Sequence, residues 1–89
     1  MPQYSIEFTA AAARDIRKLA RSDRRMMRRI DAAIQALRDD PRPDGVRKLQ
    51  GGTDEYRIRV GDYRVLYTIA DDELVICVVR VRDRKGVYG

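Results

Sequence analysis

The sequence predicts an α+β fold in which two N-terminal helices pack on one face of a mainly antiparallel sheet. Apolar residues recur at helical spacing between residues 10 and 37. Between residues 56 and 69 they alternate with polar residues, which is typical of half-buried strands. A loop rich in proline and glycine, residues 39–45, separates the two regions. The predicted order of elements is therefore β-α-α-β-β-β.

The N-terminal half supplies the first strand and both helices. Gln3 to Phe8 alternates in polarity, which predicts a strand. Thr9 is placed to cap a helix that starts at Ala10, and either Ser22 or Asp23 is placed to cap a second helix. Each helix has one apolar stripe that must be buried on a larger surface. The stripes contain Ala12, Ile16, Leu19 and Ala20 in the first helix, and Met26, Met27, Ile30, Ala33, Ile34 and Leu37 in the second.

The C-terminal half supplies the remaining strands. Val46 to Gln50 is a short extended piece, and the glycine-rich residues 51–53 turn the chain after it. A hairpin follows, whose two-residue turn is Gly61-Asp62, because glycine tolerates a positive φ at the first turn position. After a second tight turn at 71–72, residues 74–81 are almost wholly apolar, which is typical of a central strand buried on both faces.

The composition limits the classes of protein and site. The 89 residues are enough for a single domain, residues 1–89. The net charge of +5 fits a polyanionic or acidic partner, and it also fits ordinary solubility charge. Because no signal-peptide core or membrane-spanning apolar run is present, we expect a cytoplasmic protein without a membrane partner. A lone cysteine, Cys77, and the absence of histidine exclude an intrachain disulfide, Cys- or His-based metal sites and Ser-His-Asp triads, and we expect no metal and no cofactor.

Three arginines share one face of the predicted hairpin. With Gly61-Asp62 as the loop, Arg59 lies opposite Arg64, and Arg57 lies two residues further along its strand. Like charges at opposed positions destabilise a sheet. The arrangement therefore favours a phosphate-binding site over the alternative that these arginines only protect a sheet edge.

Two other basic segments are candidates for contact with a polyanion. The basic helix residues between Arg14 and Arg29 are best explained as the solvated faces of amphipathic helices, with contact to nucleic-acid backbone as the alternative. The tail, residues 82–88, follows a strand predicted to lie next to the hairpin, so that its end can deliver Arg84 and Tyr88 to the arginine face. Strand parity does not decide this, because the chain leaves the sheet near Arg82.

Several segments together carry a resemblance to a known family. They are the opening strand YSIEF, the segment Arg17-Lys18-Leu19, the pair Lys48-Leu49, the hairpin YRIRVGDYRVLY and the closing residues Val81, Arg84, Val87 and Tyr88. Over essentially its whole length the chain resembles the RelE toxins, within the RelE/ParE superfamily of bacterial type II toxin-antitoxin systems. The hairpin and the closing motif at this spacing are the more specific parts.

The resemblance implies a concave basic sheet face and a ribosome-dependent mRNA endonuclease, which cleaves A-site codons and inhibits translation. The ribose 2′-hydroxyl would attack the adjacent phosphate without a metal. The resemblance also implies a cognate RelB-like antitoxin, through which alone operator DNA would be bound. The predicted catalytic residues are Arg59, Arg64, Arg84 and Tyr88, and the predicted RNA-binding residues are Lys48, Arg57, Arg82 and Lys85.

The chain departs from the family pattern at three positions. Relatives have lysine where this chain has Arg57 and Arg59, and arginine essentially cannot lose its proton. These residues therefore bind and stabilise charge, and the preferred base is Tyr88. Asp83 stands where many relatives have His or Lys, and it can pair with a neighbouring arginine and reduce the local positive charge.

Two other interpretations share the predicted fold. A ParE-like toxin is a non-enzymatic inhibitor of DNA gyrase and needs no phosphate site. An inactive family member would act only as a partner of the antitoxin or as a co-repressor. The presence of Arg64, Arg84 and Tyr88 favours the endoribonuclease over both.

Overall fold

Two helices lie on one face of a five-stranded, mostly antiparallel sheet in a computed structural model of the chain, which describes residues 3–48 and 55–83. The predicted α+β class and the packing of both helices on one sheet face are confirmed. The elements are β1 (Ser5–Phe8), α1 (Ala10–Ser22), α2 (Arg24–Ala36), β2 (Arg47–Lys48), β3 (Glu55–Val60), β4 (Tyr63–Ala70) and β5 (Val75–Asp83).

The sheet has the strand order β1-β5-β4-β3-β2. All neighbouring strands are antiparallel except β1 and β5, which run parallel. The predicted element order missed one strand, because Arg47 and Lys48 of the extended piece pair with β3 as β2. A strand of two residues is too short for alternation to reveal it. The turn predicted at 51–53 lies outside the described residues.

The two helices meet at a single residue, Asp23. The Thr9 hydroxyl accepts a hydrogen bond of 3.0 Å from the Ala12 N–H and begins α1. The carboxylate of Asp23 accepts a bond of 3.0 Å from the Met26 N–H, so that Asp23 is the cap of α2. Neither helix of the described residues has the length and apolarity needed to cross a membrane.

The β3–β4 hairpin has the predicted register. Val60 pairs with Tyr63 across a turn that starts at Gly61, whose φ is +59°. A Cβ atom at Gly61 would lie 2.8 Å from the Met26 Cε atom. The turn therefore packs against α2, and glycine satisfies both the backbone conformation and the close approach.

The core lies between the helices and one face of the sheet. The buried strand residues share one parity on β3 and on β4, and on β5 the parity changes after Val78. Among the described residues, the opposite face of the sheet has no helix over it. The buried residues are Ala12, Leu19, Ile30, Ile34 and Leu37 from the helical half, and Tyr56, Ile58, Val60, Val65, Tyr67, Ile69, Ile76, Val78 and Val81 from the strands.

Strand β5 is central, but the prediction that it is buried on both faces is wrong. Ile76 and Val78 are buried against the helices, whereas Val75 and Cys77 on the other face are only half-buried. Both faces carry apolar side chains, so the alternation that marks a one-sided strand is missing from the sequence.

A β-bulge changes the parity of β5. Leu66 pairs with Arg80, but the next residue of β4, Tyr67, pairs with Val78, so Val79 is the extra residue. Beyond the bulge Val81, and not Arg80, faces the core, and Arg80 is the Cα partner of Leu66. The bulge thus keeps a charged residue out of the core.

Tyr67 fixes the loop after α2 onto the sheet. Its side chain is fully buried and its hydroxyl donates a hydrogen bond of 2.7 Å to the Pro41 carbonyl. Its ring stacks on Tyr56 with 5.9 Å between the centroids. Burial raises the pKa of Tyr67 to about 12 from the ordinary value of 10.0, because the phenolate would lose its hydration.

We expect this tyrosine to make the fold sensitive to high pH. The neutral form is favoured in the fold, so its stabilisation is complete below pH 10.0 and is lost as the pH rises through about 12. The corresponding fall in the free energy of unfolding is roughly 3 kcal/mol. Urea unfolding at several pH values should show that the free energy of unfolding of Tyr67→Phe lacks the part of the fall between pH 10.0 and about 12 that the Tyr67 hydroxyl causes. Identical pH profiles for the two proteins would contradict the assignment.

Candidate nucleic-acid interface

The uncovered face of the sheet contains a groove that is lined almost entirely by arginine. Its volume is about 240 Å³, and its lining residues are Arg47, Arg57, Arg59, Arg64 and Gly45. Arg59 is exposed, and Arg57 and Arg64 are half-buried. Within residues 3–48 and 55–83, none of the four guanidinium groups forms an ion pair or a hydrogen bond with another side chain.

Strand register arranges the four arginines as two opposed pairs. Arg59 of β3 is the partner of Arg64 of β4. Arg57, two residues away on β3, is the partner of Arg47 of β2. Opposed side chains leave the sheet roughly 5 Å apart, and the two pairs are about 7 Å apart along the strand.

The arrangement concentrates positive charge that no described side chain neutralises. Opposed like charges destabilise a sheet, and no acidic side chain is among the described residues that line the groove. A guanidinium group presents a planar fork of donors that matches the oxygens of a phosphate. The groove is thus suited to hold phosphate groups between strands.

The structure brings together only some of the predicted RNA-binding residues. Arg57 lines the groove, but Lys48 faces the other side of the sheet, where its Nζ atom lies 6.0 Å from the centroid of the Tyr56 ring. The Cα atom of Arg82 is in register with Arg64, yet its side chain lines a separate cleft between α1 and β5.

Three predicted site residues, Arg84, Lys85 and Tyr88, lie outside the described residues. Asp83, which directly precedes them, ends β5 as the pairing partner of Tyr63, at the turn end of the hairpin. Asp83, the last described residue before the tail, is therefore next to the pair of Arg59 and Arg64.

Arg47 lines the groove although the sequence does not single it out. Its place depends on the pairing of β2 with β3, and a two-residue strand gives no periodic signal. The register of β2 with β3 in the structure is what shows that Arg47 lies opposite Arg57.

A polar latch holds the chain just before β2. Arg42 forms an ion pair of 2.9 Å with Asp71 and donates a hydrogen bond of 3.2 Å to the Tyr56 hydroxyl. The Tyr4 hydroxyl donates a bond of 2.7 Å to the same carboxylate. The bonds from Arg42 and then Tyr4 lower the pKa of Asp71. The latch fixes the loop from which Arg47 enters the groove.

Asp15 of α1 closes the free edge of β5 beyond the end of β1. Its carboxylate accepts hydrogen bonds of 2.8 Å from Arg80 Nε and 3.0 Å from the Val81 N–H. Burial pushes the pKa of Asp15 up, but these bonds and the charges of Arg80 and Arg82 outweigh it, and the pKa is lowered. Arg80 is thereby neutralised within the protein, whereas no residue of 3–48 or 55–83 neutralises the four groove arginines.

The fold and the sequence both place this chain among the toxins of type II toxin-antitoxin systems. The family model described as the ParE toxin of the type II toxin-antitoxin system, parDE, matches residues 6–88. The chain therefore belongs to this family, within the RelE/ParE superfamily.

Relatives and solved structures identify it more narrowly as a RelE family toxin. The toxin RelG of Mycobacterium tuberculosis is 32% identical over 87 residues, which cover 96% of this chain and 95% of RelG. The mRNA interferase toxin RelE of Escherichia coli strain K12 is 30% identical over 89 residues, which cover 96% of this chain and 90% of that toxin. In the crystal structure of the toxin-antitoxin complex RelBE2 from M. tuberculosis, one chain matches with a TM-score of 0.80 and 28% identity, covering 94% of each chain.

Proposed function

We propose that this toxin is a ribosome-dependent mRNA endonuclease that cleaves codons in the ribosomal A site and so inhibits translation. The groove of four arginines, none of which forms an ion pair with a described residue, is the observation that carries the proposal. A toxin that acts only through protein contacts has no need for guanidinium groups in opposed positions that cost stability. The relative named mRNA interferase toxin RelE supports the same activity.

In the proposed reaction, Arg59 and Arg64 hold the phosphate that follows the attacked nucleotide. Attack by the ribose 2′-oxygen gives a phosphorane with two negative charges, and these charges develop on the oxygens that the two guanidinium forks contact. Because the register fixes both arginines on adjacent strands, the donors are in place before the charge develops. The bond to the 5′-oxygen then breaks, leaving a 2′,3′-cyclic phosphate and a 5′-hydroxyl.

Two proton transfers complete this reaction, and the groove arginines do not supply the first. A base must take the proton of the 2′-hydroxyl, and arginine stays protonated in proteins. We assign this role to Tyr88. Arg84 donates a hydrogen bond that stabilises the charge on the leaving 5′-oxygen, and water supplies the proton that this oxygen takes up. Both roles remain predictions, carried by the sequence resemblance and by the position of Asp83 beside the hairpin.

The proposal gives the other basic residues a part in RNA binding. Arg57 contacts the RNA within the groove, and Arg82 and Lys85 contact it where the tail begins. Lys48 acts from the opposite side of β2, so we expect it to contribute less than these three. The ribosome presents the mRNA to an open groove, and such an activity belongs in the cytoplasm.

We propose that a cognate RelB-like antitoxin neutralises the toxin. The relative RelBE2 was solved as a toxin-antitoxin complex. An antitoxin that supplies acidic side chains to the groove would offset the charge of the four arginines, which no described residue pairs. Operator DNA would then be bound through the antitoxin.

Primer extension on mRNA recovered from translating ribosomes tests the activity. Purified toxin is expected to produce cuts at codon positions occupied by the A site, and to leave the same mRNA intact without ribosomes. The family model is named for ParE, which makes gyrase the specific alternative. Trapped DNA breaks with purified gyrase, together with uncut mRNA, would reject the endonuclease in favour of a ParE-like inhibitor.

A further inference from the structure

We propose that Arg47 and Arg57 form a second phosphate subsite, so that the toxin holds two consecutive phosphates of a single RNA strand. The proposal rests on the RNA-cleaving function proposed above and names the part of the substrate that Arg47 holds. The first phosphate lies between Arg59 and Arg64, and its neighbour lies between Arg47 and Arg57.

The spacing of the pairs supports two adjacent phosphates. The pair on β2 and β3 is displaced from the pair on β3 and β4 by one strand sideways and by two residues along β3. The centres of the pairs are therefore about 8 Å apart. Neighbouring phosphates of an extended polynucleotide are slightly closer than this, and the flexible stems of arginine cover the difference. Both pairs line one continuous groove.

The charge distribution limits the second subsite to the pair of Arg47 and Arg57. Beyond Arg57 on the sheet, the next position of the row is Leu66, which carries no charge. Arg80 follows it, and the Asp15 carboxylate already neutralises Arg80. The uncompensated charge therefore runs diagonally across β3, from β4 to the β2 edge.

The local structure fixes Arg47, and no described residue closes its end of the groove. The latch between Arg42 and Asp71 holds the loop that leads into β2. Gly45 also lines the groove, and a Cβ built on it would meet no atom of the described residues within 4 Å. A continuing nucleic-acid strand thus has room to leave over the edge of the sheet.

Binding of two short RNA ligands tests the subsite. One ligand is a dinucleotide with one phosphate and the other is a trinucleotide with two, and 2′-O-methyl groups prevent cleavage in both. We expect Arg47→Gln to lower the affinity for the trinucleotide about tenfold. The slope of log affinity against log salt concentration should become smaller in magnitude by about 0.7. The same variant should leave dinucleotide affinity within about twofold, because that ligand fills only the first subsite.

The matched control is Arg28→Gln, which removes the same charge from an exposed position on α2. This control should leave the affinity for both ligands unchanged. Three results would overturn the subsite. Arg47→Gln could lower the affinity for both ligands equally, the control could lower affinity as much as Arg47→Gln does, or Arg47→Gln could have no effect. A trinucleotide with one neutral methylphosphonate adds a positional test, because only one of its two isomers should abolish the effect of Arg47→Gln.

The binding assay separates this proposal from the proposed activity. If the toxin binds the trinucleotide through Arg47 but leaves ribosomal mRNA uncut, the subsite is supported and the nuclease activity is rejected. A toxin that cuts mRNA but shows one of the contrary binding patterns rejects the subsite alone. Thermal unfolding of Arg47→Gln verifies that the variant is folded.

Discussion

Replacing Arg64 with glutamine is expected to remove nearly all RNA cleavage and at the same time to make the fold more stable. Loss of a donor that stabilises transition-state charge typically lowers kcat about 100- to 1,000-fold. Arg64 is directly opposed by Arg59, which lines the same groove. Removing the Arg64 charge relieves this repulsion, so the free energy of unfolding should rise by about 0.5 kcal/mol.

Single-turnover cleavage on ribosomes and urea unfolding measure the two effects on the same preparation. The stability gain should shrink at high salt, because screening weakens the repulsion that the substitution removes. Arg28→Gln, which alters an exposed helix residue, should change neither quantity. If Arg64→Gln instead lost stability and activity together, Arg64 would have a structural role, and the argument from opposed charges would fail.

The parts of the fold that were predictable depend on contacts between residues close in the chain. The hairpin register follows from a two-residue turn at Gly61 and from strict alternation on either side, so the pairing of Arg59 with Arg64 could be derived without any structure. The caps of both helices are likewise local, because Thr9 and Asp23 each bind an N–H three residues ahead.

The features that escaped prediction depend on register between distant segments. Strand β2 is too short for periodicity, so Arg47 could not be placed beside Arg57. The bulge at Val79 breaks the parity rule from which the direction of every later side chain would be read. Asp15 looks like any charged residue on a helix surface, and only the folded chain shows that it reaches β5, 66 residues away from Val81.

The uncovered sheet face explains why site and stability can be separated in this protein. The helices and the inward face of the strands supply the apolar contacts, while the outward face carries the arginines. A functional site that opposes stability is tolerated when the stabilising contacts lie elsewhere. Substitutions in the core and in the groove should therefore act on different measured quantities.

Ile30→Ala is the substitution for which this separation predicts the largest loss of stability. Ile30 lies in the middle of α2 and is completely buried against the sheet. Truncating such a side chain removes apolar burial and leaves a cavity, at a cost of about 2–5 kcal/mol. That is a large share of the roughly 5–15 kcal/mol that stabilises an ordinary domain. Ile30→Val should cost only about 1 kcal/mol.

Cleavage by the fraction of Ile30→Ala that remains folded should keep the wild-type kcat, because the groove arginines project from the other face of the sheet. Urea unfolding supplies the folded fraction, and single-turnover cleavage at that temperature supplies the rate. In a variant with both Ile30→Ala and Arg64→Gln, the change in the free energy of unfolding should equal the sum of the two single changes within about 0.5 kcal/mol. A fall in kcat beyond the loss of folded protein would mean that the helix layer positions the arginines through the sheet, and that fold and site are coupled after all.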